Sequence, residues 1–172
     1  FGYLHQISWI NRFVTIELDT ARKARIPEIY LRQMHPAQAR MALAQLDQID
    51  SNSRKRIEYA KIYHDGLKDL SGLIIPAFKG DGSHIYNYFP IQFEDRDRLV
   101  RWAMRHDRDL AVQHLKNCAG LESFKPESRP CPQAELTAKQ TILLPNYPRY
   151  GEAEVRKNVA VIREFFAQGC PS

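Results

Sequence analysis

The residues able to do chemistry are spread along this chain rather than gathered. Its six histidines form no HxxxH or HExxH arrangement, and no pair among its three cysteines, Cys118, Cys131 and Cys170, has zinc-ligand spacing. A metal site is not expected. An odd number of widely separated cysteines also argues against a disulfide framework and for a reducing, cytoplasmic compartment. Cys118, in NCAG, reads as an inert thiol. Lysine offers an amine nucleophile, but no lysine here lies in a context that marks it. The first, Lys23, sits in the basic segment ARKAR and reads as a solvated side chain. No catalytic residue is therefore assigned.

Charge narrows the partners only a little. The formal net charge is +5, which favours anionic ligands in a general way. The basic residues alternate with acids, however. In EDRDRLVRWAMRHDRD (94–109) five arginines are interleaved with five acids, the pattern of a solvated helix face rather than a nucleic-acid stripe. No apolar run approaches the ~20 residues of a membrane-spanning helix. The composition, 44% hydrophobic and 26% charged, is that of a folded domain, and 172 residues are enough for one core. The chain starts at Phe1, with no leader pattern, which gives the expectation that it was cut from something longer.

The elements that must position any site can be read from periodicity. Residues 1–32 carry Phe1, Leu4, Trp9, Ile10 and Phe13 without a clean period; they read as an appendage or as the remnant of a preceding domain. From Pro36, apolar residues recur at helical spacing through Ala39, Leu43, Leu46, Ile49, Ile57, Ala60, Tyr63, Leu67 and Leu70, until Ser71–Gly72. The pattern predicts one helix over 36–70, about 50 Å long at ~1.5 Å per residue. Such a rod is longer than a small domain needs, so part of it is expected to pack on another domain or subunit. GLIIPAF (72–78), HIYNYFPIQF (84–93) and LAVQHL (110–115) read as strands, with Pro90 confined to an edge or a bulge. Asp95 caps a helix to about His106 whose inner face is Leu99, Val100, Ala103 and Met104. Residues 116–131 read as a polar loop. A short helix spans about 132–141, a Pro-fixed turn 143–151, and a last amphipathic helix 152–168. The expected class is α+β: a long N-terminal helix and a small mixed or antiparallel sheet with helices packed on one face.

Five blocks in this order carry a resemblance. MHPAQARMALAQLDQID with RKRIEYAKIYHDGLKDL, then HIYNYFPIQF, DRDRLVRWAMRHD, DLAVQHL and AELTAKQTILLPNYPRYGEAEVRKNVAVIREF together resemble the small C-terminal domain of the DegT/DnrJ/EryC1/StrS aminotransferases. The resemblance covers about 33–167 and assigns 33–172 to that domain. It implies the small domain of a fold-type I pyridoxal phosphate (PLP) enzyme that aminates a nucleotide-linked keto-sugar, with glutamate as amine donor. It also implies partners: the large N-terminal domain of the parent, and a twin in a homodimer built partly through the 36–70 helix.

The family's Schiff-base lysine belongs to the large domain, so PLP is expected in the complete parent and not on this chain alone. With Met34 and Gln38 in register, the family's phosphate-contacting Asn falls on Leu31, which cannot make that contact; the adjacent Arg32 is the candidate cofactor-binding cation. His114, ending DLAVQH, and Asn87, where many members carry His, are the candidate substrate-binding residues. Tyr86 and Tyr88 read as core or interface aromatics, and Pro145, Tyr147 and Pro148 as structural. Two alternatives stand beside the enzyme domain: a non-catalytic homologue acting as an interaction module, and a basic nucleic-acid-binding domain, which only the net charge supports.

Overall fold

A computed structural model of the chain describes residues 28–112, 117 and 129–169. These fall into two units: residues 28–34, 117 and 129–131 in one, and residues 35–112 with 132–169 in the other. The first contains a 3-10 turn, Glu28–Leu31, and the half-buried free thiol of Cys131.

The second unit runs α1 (Pro36–Leu46), α2 (Ile49–Leu67), β1 (Leu73–Ile74), β2 (Phe89–Phe93), α3 (Arg96–Arg105), β3 (Ala111–Val112), α4 (Pro132–Gln140), β4 (Thr141–Leu144) and α5 (Glu152–Ala167). The sheet has strand order β1-β2-β4-β3, and every pairing is antiparallel. The class is thus α+β, as the sequence predicts.

The core is built on the β2–β4 pair. Phe89 lies opposite Leu144 and Ile91 opposite Ile142, and all four side chains are fully buried. Each such burial is worth roughly 1.5–3 kcal/mol. Helix α3 packs against β2 and β4, and α5 packs against α2 and α3. Leu99 and Ala103 are buried on α3, with Val100 and Met104 half-buried, which matches the expected inner face. Asp95 caps α3 by accepting the Arg98 N–H at 3.3 Å.

Four expectations need correction. The predicted 36–70 rod is two helices. At Asp47 and Gln48 the backbone keeps right-handed dihedrals, but the Gln48 N–H turns to the Gln45 carbonyl at 3.1 Å, closing a tighter turn. Ser51 and Ser53 donate to the carbonyls of Gln48 and Ile49, a back-bonding that bends helices. Because both residues stay right-handed, the apolar period runs through the break and hides it.

The predicted strand over 84–93 begins only at Phe89, because Tyr86 has φ 49°, a left-handed value that ends extended pairing. The strand over 72–78 shrinks to Leu73–Ile74, ahead of Pro76. Finally, TILL (141–144), read as the end of a helix and the start of a turn, is the inner strand β4. Four apolar residues directly abutting a helix offer too short a run for periodicity to separate. Pro90 pairs with Leu143 of β4, while β1 reaches only Gln92 and Phe93. At Pro90 the strand is an edge, which is how a residue without an N–H is tolerated there.

Candidate functional site

The best-built polar region joins α2, the segment before β2 and the turn after β4. Asn146, in the turn Pro145–Pro148, is fully buried. Its Nδ2 donates to the carbonyls of Tyr86 at 2.6 Å and Arg56 at 3.0 Å. Arg56 reciprocates: its guanidinium donates to the carbonyls of Asn87 at 2.8 Å and Asn146 at 3.3 Å. The Asn146 Oδ1 is buried without a hydrogen-bond partner. Leaving such an acceptor unpaired costs about 1–3 kcal/mol, so the two donated bonds offset a real penalty.

The same turn is held from below. Tyr63 donates to the Pro145 carbonyl at 2.9 Å and Tyr59 to the Pro148 carbonyl at 3.3 Å. The fully buried Asn158 donates to the Tyr63 hydroxyl at 2.9 Å, and its Oδ1 accepts from Tyr150 at 3.2 Å. Burial pushes the Tyr63 phenol well above its ordinary range, outweighing the Asn158 contact, so it stays protonated as a donor. The reading of Pro145, Tyr147 and Pro148 as structural fits this stapled turn, but it missed Asn146 and Asn158. The available signal was an Asn inside a Pro-bounded turn and an Asn on the apolar face of the last helix, where only a paired amide is tolerated.

Tyr86 contributes its ring to the core, stacked on Phe78 at 5.8 Å, and its hydroxyl accepts the Lys79 N–H at 2.6 Å. A bulky residue at positive φ costs roughly 1–2 kcal/mol and persists only where its surroundings hold it. The consequence is that Tyr86 points inward while Asn87 and Tyr88 are both exposed. Tyr86 is a core aromatic; Tyr88, 44% exposed, is not.

The candidate residues are placed as follows. Asn87 is exposed beside the Arg56–Asn146 pair. Arg32 is exposed just after the 3-10 turn and belongs to the other unit. His114 lies outside the described residues.

A PLP site needs a shielded lysine amine and donors around a phosphate. The described lysines, Lys55, Lys61, Lys68, Lys79, Lys139 and Lys157, are all exposed. Lys61 and Lys68 pair with Asp65, whose carboxyl they hold far below the usual carboxylate range, Lys61 first. Leu31 is 73% exposed and offers no polar group. These residues do not make a cofactor site by themselves. Among the described residues no cluster of His, Cys, Asp and Glu fits a metal ion, and no helix is long and apolar enough to cross a membrane.

A sequence model of the DegT/DnrJ/EryC1/StrS aminotransferase family matches residues 28–163, most of the chain. The chain belongs to that family. It is 24% identical over 149 residues to the uncharacterized protein MJ1066 of Methanocaldococcus jannaschii, covering 81% of this chain and 38% of that protein. It is 26% identical over 138 residues to the dTDP-3-amino-3,4,6-trideoxy-alpha-D-glucose transaminase of Streptomyces venezuelae, covering 78% of this chain and 36% of the enzyme. The fold is shared with the crystal structure of S. venezuelae DesV in complex with a ketimine intermediate, with a TM-score of 0.69 at 24% identity over 74% of this chain and 35% of that one. The chain therefore spans little more than a third of the relatives it matches.

Proposed function

We propose that this chain is the C-terminal small domain of a PLP-dependent aminotransferase acting on a nucleotide-linked keto-sugar. The observation that carries the reading is one of extent: the family match covers 28–163, and the chain answers to little more than a third of the matched relatives. Cofactor, catalytic lysine and most of the phosphate cradle then belong to the large domain of the complete protein. PLP supplies the electron sink there. This chain's part is to cover the substrate: Asn87 and His114 offer donors and acceptors to sugar hydroxyls, and Arg32 offers a cation to the cofactor phosphate.

The exposed apolar side of α1 supports a packing role toward the large domain or a twin. Leu43 is 63% exposed and Leu46, on the same side, 57%, and no side chain of α1 is buried within its own unit. The helix is nonetheless well started: Pro36 is its first residue, and His35 and Gln38 exchange capping bonds with the backbone at 3.2 and 3.1 Å.

One observation favours a second reading, a non-catalytic homologue serving as an interaction module: Leu31 stands where the family resemblance places an Asn. The complete gene product separates the two. Mixed with PLP, a transaminase shows a lysine-bound cofactor band in the near-visible that glutamate bleaches; a non-catalytic homologue shows none.

A further inference from the structure

We propose that Arg56 and Asn146 form a clasp that fixes the backbone at Tyr86–Asn87 and so sets how Asn87 meets the sugar. Both are positioning residues, and the assignment rests on the reading of Asn87 as a substrate contact.

The clasp is reciprocal. Each side chain donates to the other residue's carbonyl, Arg56 to Asn146 at 3.3 Å and Asn146 to Arg56 at 3.0 Å. Each then spends its remaining reach on the same dipeptide: Asn146 on the Tyr86 carbonyl at 2.6 Å, Arg56 on the Asn87 carbonyl at 2.8 Å. Two side chains thus satisfy four carbonyls in three separate segments. Nothing in the sheet supplies those partners, because β2 pairing starts only at Phe89.

The dipeptide needs holding. Tyr86 has φ 49°, and an aromatic residue relaxes readily from that region toward extended backbone. Relaxation to a strand would restore alternation, sending Asn87 to the face opposite Tyr86 and Tyr88. The observed arrangement instead buries Tyr86 and exposes Asn87 and Tyr88 in succession. The clasp grips both peptide carbonyls that would have to rotate.

The chemistry of the two residues suits this task. Only an amide donates two hydrogen bonds from a small neutral side chain, and an Asp at 146 would present an acceptor to two carbonyls. Only a guanidinium spans two acceptors from one fixed plane. The unpaired Asn146 Oδ1 shows that the amide is oriented for its donors.

The test uses the complete protein, with its own large domain and loaded with PLP. The variants are R56M, R56K, N146D, N87A and the pair R56M/N87A. Two half-reactions are followed by cofactor absorbance: one with glutamate, the return with dTDP-linked 3-keto- and 4-keto-hexoses as probes. R56M and N146D are expected to raise the half-saturating keto-sugar concentration about tenfold. That effect exceeds any on the glutamate half-reaction at least fivefold, R56K recovers part of it, and R56M/N87A is no worse than N87A alone.

Equal losses in both half-reactions, or additive effects in the pair, overturn the clasp as a positioning device. If N87A leaves a working keto-sugar half-reaction unchanged, the role of Asn87 fails and the clasp's function with it, while the aminotransferase reading stands. If the parent has no glutamate half-reaction, that broader reading fails instead. Amide exchange across residues 84–88 still tests the clasp: faster exchange in R56M and N146D supports it, and unchanged exchange refutes it.

Discussion

Tyr63 shows how much one buried hydroxyl can organise. It donates to the Pro145 carbonyl, receives the Asn158 amide and stacks on Phe89 with ring centroids 5.5 Å apart. Tyr63→Phe keeps the stacking, strands the Pro145 carbonyl and leaves the Asn158 amide only the Tyr150 hydroxyl, so urea unfolding should show a loss of about 1–3 kcal/mol. The same residue sets a pH dependence. Its folded phenol is raised by burial, so its contribution is intact below the unfolded tyrosine value of about 10 and is lost as pH rises beyond it. The urea midpoint of the wild type should therefore fall more steeply between about pH 9 and 11 than that of Tyr63→Phe.

Asp69 runs the opposite way. The bidentate bonds from Arg163, at 2.6 and 2.9 Å, hold its carboxyl down to about 2. What that pair contributes is present above about pH 4 and lost as pH falls toward 2. Being exposed, it contributes little at neutral pH. At this scale the sequence shows which residue types are present but not their partners. Asn87, Tyr86 and the PNYP turn are visible as a string, whereas the bonds of Asn146 to residues 60 and 90 positions away depend on tertiary closure.

At the scale of elements, α2 and α5 approach closely at Gly66. A Cβ there would lie 2.6 Å from Val159 Cγ1, and Arg163 donates to the Gly66 carbonyl at 2.8 Å. Gly66→Ala gains up to ~1 kcal/mol of helix propensity but forces α2 and α5 apart, and overpacking of this kind costs about 1–3 kcal/mol. Net destabilisation is the expected result by thermal melting, with Val159→Ala in the same chain relieving part of it. Amphipathic helices were the most legible elements, because α3 and α5 bury one face and keep the other wet. The sheet was less legible. Three of its strands fall within stretches read as strands, over 72–78, 84–93 and 110–115, whereas β4 abuts a helix and its short run did not register. The broken rod was illegible for another reason: a kink that preserves right-handed dihedrals leaves the apolar period intact.

At the scale of the molecule, the contrast between the halves of the predicted rod is the informative feature. Tyr59, Ala60, Tyr63 and Leu67 of α2 are buried, whereas Leu43 and Leu46 of α1 and Ile49 at the start of α2 are exposed. An apolar row without cover in its own unit is what the proposed packing role would use. The double substitution L43K/L46K should leave the melting temperature of this chain within about 2 °C, because surface changes away from packed features stay within about 0.5 kcal/mol. In the complete protein it should weaken assembly, read by sedimentation at several concentrations.

The most direct test is spectroscopic, on the complete gene product with PLP. The account predicts a lysine-bound cofactor band that glutamate bleaches and a nucleotide-linked keto-sugar restores. A protein that is folded and assembled yet shows no such band, or one that glutamate leaves unchanged, would contradict it.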